Sequence, residues 1–231
     1  MHKEIYLVGG RDAETYTTFR DRMLGTASDV MQFYRPVKMW TTLTEAPPPR
    51  LSVIPFKRGK IAAFTLFRQD DDVRPCTMLT ELDSFRSAGR VEEALPVAYH
   101  KNWPDGTITP GVCLLTLFRK REGISHEQFL DRWHNSHTPL SLRIHPLWHY
   151  NRNVVTGMIA SNEIPWGGIV EEHFTSRGKL LNPFRFFGNP LVILPRMLEV
   201  YKDVNAFLDY KTIETWLVRE YWQTSGTKSS L

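Results

Sequence analysis

The sequence predicts an α+β fold: two tandem ferredoxin-like β-α-β-β-α-β units in one chain, with their sheets facing each other. Three observations carry this. At an offset of 110 the chain resembles itself: Ile5 falls on Leu115, Leu7 on Leu117, Thr15 on Ser125, Phe19 on Phe129, Asp21 on Asp131, Arg22 on Arg132 and Met23 on Trp133. Strand-like and helix-like apolar periods recur in the same order in both halves. Between the halves, "KNWPDGTITPG" gathers prolines, glycines and an Asp-Gly turn that interrupt regular structure. The units are therefore residues 1–103 and 111–231. Each unit covers one sheet face with helices and leaves the other bare, so two copies can cover each other and enclose a cavity.

In order, "EIYLVGG" reads as a strand, "AETYTTFRDRML" as a helix, and "VKMWTTLTE" and "KIAAFTLFRQ" as strands. "PCTMLTELDSFRSA" reads as the second helix and "EALPVAYHKNW" as the strand that ends the unit. The second unit follows suit: "VCLLTLFRK" is a strand, "SHEQFLDRWHNSH" a helix, and "LWHYNRNVV" and "GGIVEEHFT" are strands. Helix and loop fill residues 176–209, whose aromatic, proline-broken part suits a lid or a subunit contact, and "TIETWLVREYW" is the last strand.

Composition excludes several classes. The 29 Lys and Arg against 25 Asp and Glu leave a charge of +4, scattered without a basic stripe, which argues against nucleic acid. Cys76 and Cys113 make neither a disulfide framework nor a metal cluster. The greasiest run, "NPLVILPRML", is broken by prolines and an arginine and is too short to span a bilayer. "MHKEIYLVGGRD" reads as a strand and not as a leader. The expectation is a reduced, cytoplasmic protein with no membrane or nucleic-acid partner, either a monomer with a complete internal barrel or a homodimer.

The histidines concentrate in "DRWHNSHTPLSLRIHPLWHY". Ser125 and Gln128 form a capping box at the start of this helix, and Thr138-Pro139 is expected to stop it. On a helical wheel with Phe129 at zero, Trp133 falls at about 40°, His137 at about 80° and His134 at about 140°. His137 is thus in the apolar stripe, as a helix-capping imidazolium or as a general base. The first unit carries Leu24 and Ala27 where the second has His134 and His137, which points to one specialised site in the second unit. Metal-ligand spacing, H-E-x-x-H, G-x-S-x-G, a P-loop and G-x-G-x-x-G are all missing from the sequence.

These segments resemble the EthD domain family of the dimeric α/β-barrel superfamily. Ser125, Glu127, Phe129, Trp133, His137, Pro139 and Leu140 match its S-x-E-x-F-x-x-x-W-x-x-x-H-x-P-L helix. Tyr150 matches a strand tyrosine, while Asn151 stands where the family has glutamine. The likeness is clear over residues 111–222 and faint over 1–100. It implies a cavity for small apolar molecules and relatives that include cofactor-free cyclases and decarboxylases and haem-dependent enzymes.

The resulting expectation is a cofactor-independent acid–base enzyme (lyase, cyclase, dehydratase or isomerase) acting on a small hydrophobic or aromatic substrate in the barrel cavity. His137, Tyr150, His134 and Glu171 are the candidate catalytic residues, with Glu172 the alternative to Glu171. Trp133, Trp148, His149, Asn151 and His100 are the candidate substrate contacts. A non-catalytic carrier of a hydrophobic metabolite is the competing reading, with a haem protein third.

Overall fold

The computed structural model describes residues 1–70 and 74–223. Its strands are β1 (His2–Gly9), β2 (Lys38–Leu43), β3 (Ile61–Arg68), β4 (Phe85–Val97), β5 (Val112–Phe118), β6 (His149–Ser161), β7 (Gly168–Phe174) and β8 (Glu214–Gln223). All pair antiparallel and close one barrel in the order β1-β3-β2-β8-β5-β7-β6-β4. Within each half the order is fourth-first-third-second, the ferredoxin-like arrangement. The halves join along two seams, β2 with β8 and β4 with β6, so the chain makes both halves of the barrel itself.

Helices lie outside the barrel. The first half carries α1 (Tyr16–Tyr34) and a single turn, α2 (Thr77–Thr80). The second carries α3 (His126–Asp131), a wide π-type turn at Arg132–His137, α4 (Thr138–Ile144), α5 (Arg177–Leu181), α6 (Pro183–Phe186) and α7 (Pro190–Phe207). Thr15 caps α1 and Ser125 caps α3, the pair aligned by the repeat, and the Ser125–Gln128 capping box is complete.

Two sequence expectations about helices fail. "PCTMLTELDSFRSA" holds a single helical turn: after it and a tight turn the chain enters β4, where Phe85 and Ala88 pack under α1 while the backbone pairs with β1 and β6. Two flanking ladders override the local helical period. Thr138-Pro139 does not stop its helix. In the π-type turn the Thr138 N–H reaches back five residues to the Trp133 carbonyl, which lets Pro139 start a new α segment where its missing N–H costs nothing.

The expected cavity between the sheets is also corrected. Ile5, Leu7, Ile61, Ala63, Leu115, Leu117, Ile169, Trp216 and Val218 fill one end of the barrel interior. A void of about 10 Å³ beside Ile5, Leu7 and Trp166 has room for one water at most. The other end is polar and filled by its own side chains. Lys3 Nζ donates to Glu93 and Asn153, each at 2.6 Å. Glu171 accepts from Thr42 Oγ1 at 3.1 Å and Trp40 Nε1 at 3.3 Å. The linker between the halves closes this end: Tyr99 and Thr109 hydroxyls both donate to Glu220 at 2.7 Å. The space for a ligand lies elsewhere.

Candidate active site between sheet and helices

The site is a cavity of about 390 Å³ outside the barrel, between the outer face of β5–β8 and the second-half helices. Its sheet wall includes Leu114, Phe118, Tyr150, Val170 and Glu172, and its helix wall includes Trp133, His137, Ser141, His145, Val204 and Phe207. The connection between β2 and β3 crosses from the first half to complete it. Phe56 bridges to Thr215, whose hydroxyl donates to the Pro55 carbonyl at 2.9 Å, and Ile54 is buried in the second-half core.

Strand alternation decides which side chains enter. On β6 and β7, Tyr150 and Glu172 sit opposite each other and face the cavity, while Asn151 pairs with Glu171 and His149 with His173 inside the barrel. Glu171 is therefore not a partner of His137; Glu172 is the glutamate of this site. Among the described residues no side chain pairs with Glu172, and burial alone pushes its carboxyl up to about 7. Burial, with the nearby Glu172 charge second, holds the Tyr150 phenol well above its ordinary value, so it remains a neutral donor.

Across the cavity, His137 Nδ1 lies 2.7 Å from Asp203 Oδ2 on α7, and its Nε2 lies 3.2 Å from Ser141 Oγ. The carboxylate takes the Nδ1–H, which leaves Nε2 as the acceptor for the Ser141 hydroxyl. Burial raises the Asp203 carboxyl, but hydrogen bonds from His137 and Ser136 prevail and hold it below its usual value. His145 stacks on Phe186 at 4.0 Å and bonds the Phe186 carbonyl through Nδ1. Burial pushes it down to about 4, so it is neutral near pH 7.

The structure thus brings His137, Tyr150 and Trp133 into one cavity and places the other expected residues outside it. His134 lies on the outer side of the helix in a shallow depression with His126 and Leu130. His149 and Asn151 are inside the barrel, and burial with neighbouring His173 drives His149 down to about 3. Trp148 packs on Tyr99 and Trp103 at the barrel end. His100 is exposed beyond the end of β4. The sequence reading missed Ser141 and Asp203 as members of the site. Ser141 was legible as one helical turn beyond His137, provided the helix ran through Pro139; Asp203 carries no local signal.

The architecture is that of a dimeric α/β barrel made by one chain. A solved anthrone oxidase-like protein superposes with a TM-score of 0.61 at 10% identity, covering 100% of this chain and 97% of its own. Two proteins described as candidate monooxygenases match more loosely. One, from Fusobacterium nucleatum, has a TM-score of 0.48 at 6% identity, with 97% and 94% of the two chains covered. The other, from Lactobacillus acidophilus, has 0.46 at 8% identity, with 97% and 96% covered. No family profile and no curated protein sequence matches the chain. No helix among the described residues is long and apolar enough to cross a membrane.

Proposed function

We propose that the protein is an acid–base enzyme that removes a proton from carbon in a small, largely apolar aromatic substrate, and that its second half is EthD-like. One observation carries this reading: Glu172, an unpaired carboxyl at the wall of an apolar cavity, with its proton affinity tuned to neutral pH. Its carboxylate takes the C–H proton, and the electron pair left on carbon delocalises onto a conjugated carbonyl oxygen. The neutral Tyr150 phenol is the donor for that developing oxyanion. The protonated Glu172 returns a proton to carbon after exchange with solvent, and His137, its Nδ1–H held by Asp203, offers Nε2 as a second proton acceptor. Trp133 and Phe207 supply flat apolar walls.

Proton removal is the common first step of lyase, cyclase, dehydratase and isomerase chemistry. It would also begin the oxidation of a substrate such as the anthrone named for the structural neighbour, whose central methylene is acidic because its anion is an aromatic phenolate. The test is solvent exchange. Anthrone and a panel of aromatic ketones are incubated with the protein in D₂O, and deuterium uptake at carbon is followed by NMR. Acceleration by the wild type, lost in Glu172→Gln, is the expected result. Binding without exchange across the panel would overturn the enzyme and leave the carrier.

A further inference from the structure

The helix that roofs the cavity has more apolar surface than the cavity and core use. Leu191, Leu194, Leu198 and Tyr201 of α7 are exposed, between 51% and 87%. At about 100° per residue they fall within about 80° of arc, beside the Met197, Val200, Val204 and Phe207 face that packs inward. The continuous apolar face is therefore far wider than the single stripe a surface helix buries. Leu194, Leu198 and Tyr201 also line the cavity, as do Val53 and Tyr210, so the exposed stripe is the rim of its mouth. Tyr201 and Tyr210 stand edge to face with their ring centres 5.3 Å apart.

The charge beside this rim is one-sided. Residues 176–213 carry six Lys and Arg (Arg177, Lys179, Arg185, Arg196, Lys202 and Lys211) against Glu199, Asp203 and Asp209. Asp203 is turned inward onto His137, and Glu199 pairs with Arg143. Arg50, Lys57 and Arg58 are exposed on the connection that forms the opposite lip of the mouth. Exposed Lys202 and Lys211, next in sequence to the rim tyrosines Tyr201 and Tyr210, and Arg50, Lys57 and Arg58 on the opposite lip thus set positive charge beside one apolar, tyrosine-bearing opening.

We propose that this rim docks on an anionic lipid bilayer, with the α7 stripe in the interfacial layer and the cavity mouth open to the membrane. Apolar side chains flanked by Lys and Arg, with tyrosines at the boundary, are the combination that holds a protein on such a surface without spanning it. A protein seated here would close the mouth; a fluid bilayer leaves it open and is itself the reservoir of apolar molecules.

The test is co-sedimentation of the full chain with phosphatidylcholine vesicles, with and without phosphatidylglycerol, beside light scattering for mass. The expected result is binding that requires phosphatidylglycerol, weakens with added salt, and falls roughly tenfold or more in Leu191→Asp/Leu194→Asp. Lys202→Glu/Lys211→Glu is expected to lose affinity while leaving the apolar stripe intact. Circular dichroism melts check that both variants fold. Absence of binding, binding indifferent to lipid charge, or binding unchanged in the leucine variant overturns the proposal. So does a dimer that the leucine variant dissociates in the absence of vesicle binding. Because no substrate is involved, this outcome is independent of the exchange assay on Glu172.

Discussion

The two halves of the barrel are built on the same plan and filled differently. The register makes the comparison residue by residue: Glu4 of β1 pairs with Leu66, which pairs with Met39, while Leu114 of β5 pairs with Glu172, which pairs with Tyr150. In the first half the space between sheet and helix is packed by Phe19, Met23, Ala27, Val30, Met39 and Leu66, all fully buried. Glu4, on this face, accepts from the Tyr6 hydroxyl at 2.8 Å and from Arg68 at 3.2 Å. In the second half the equivalent layer is hollow, and its glutamate has no such partners. A close-packed layer stabilises, and a layer with a void and an unpaired carboxyl costs stability. The contrast supports placing the proposed chemistry in the second half and structural support in the first.

The largest expected effect comes from removing the carboxylate. Glu172→Gln should lower proton exchange by roughly 10²–10⁴-fold, the range for a positioned general base, with the fold intact by circular dichroism. The reverse contrast is a cavity cut into the packed half: Phe19→Ala should cost about 3–5 kcal/mol in denaturant unfolding and leave exchange per folded molecule near wild type. A first-half cavity that abolished exchange would end the division of labour between the halves.

Smaller effects sharpen the comparison. Asp203→Asn should reduce turnover by roughly tenfold to a hundredfold and change its pH profile, because an amide that can donate to Nδ1 replaces the carboxylate that fixes the His137 tautomer. A purely structural Asp203 would lower stability and leave that profile unmoved. Tyr150→Met with Glu172→Leu copies the first half into the second and should raise the melting temperature while eliminating exchange.

The smallest expected effect is in stability against pH. The Glu172 carboxyl is near 7 in the folded protein and near 4.5 unfolded. Between those values the folded state holds the extra proton, so its contribution is fully present below about 4.5 and is lost as pH rises through 7. Glu172→Gln should therefore melt like wild type at acid pH and at a higher temperature than wild type near pH 8. A gap that narrows as pH rises would contradict the buried, unpaired carboxyl.

The sequence made the element order, the tandem repeat and the Ser125 cap legible, because these rest on local periodicity and short-range hydrogen bonds; Thr15 was legible only as the residue aligned with Ser125. His137 was singled out by its place in the apolar stripe of its helix and Tyr150 by the family resemblance; both line the cavity. What was not legible depends on tertiary context. The parity of Glu171 and Glu172 depends on which sheet face is inside the barrel, and both faces of β7 are buried, so alternation in hydrophobicity is lost. The reach of α4 past Pro139 depends on a π-type turn with no residue signature. The filling of the barrel end depends on Tyr99, read in sequence as strand though β4 ends at Val97, and on Thr109 in a linker that looks in sequence like a solvent-exposed joint.

The connection that spans residues 44–60 belongs by chain order to the half without the histidines, yet Val53, Ile54 and Pro55 form a wall of the other half's cavity. On the proposed function, selectivity and reactivity are thereby written in separate stretches of the chain. An exchange of that connection alone can reshape what the cavity admits while Glu172, Tyr150 and His137 stay where they are, so the segment is the natural place to graft new substrate preferences onto an unchanged proton-transfer centre.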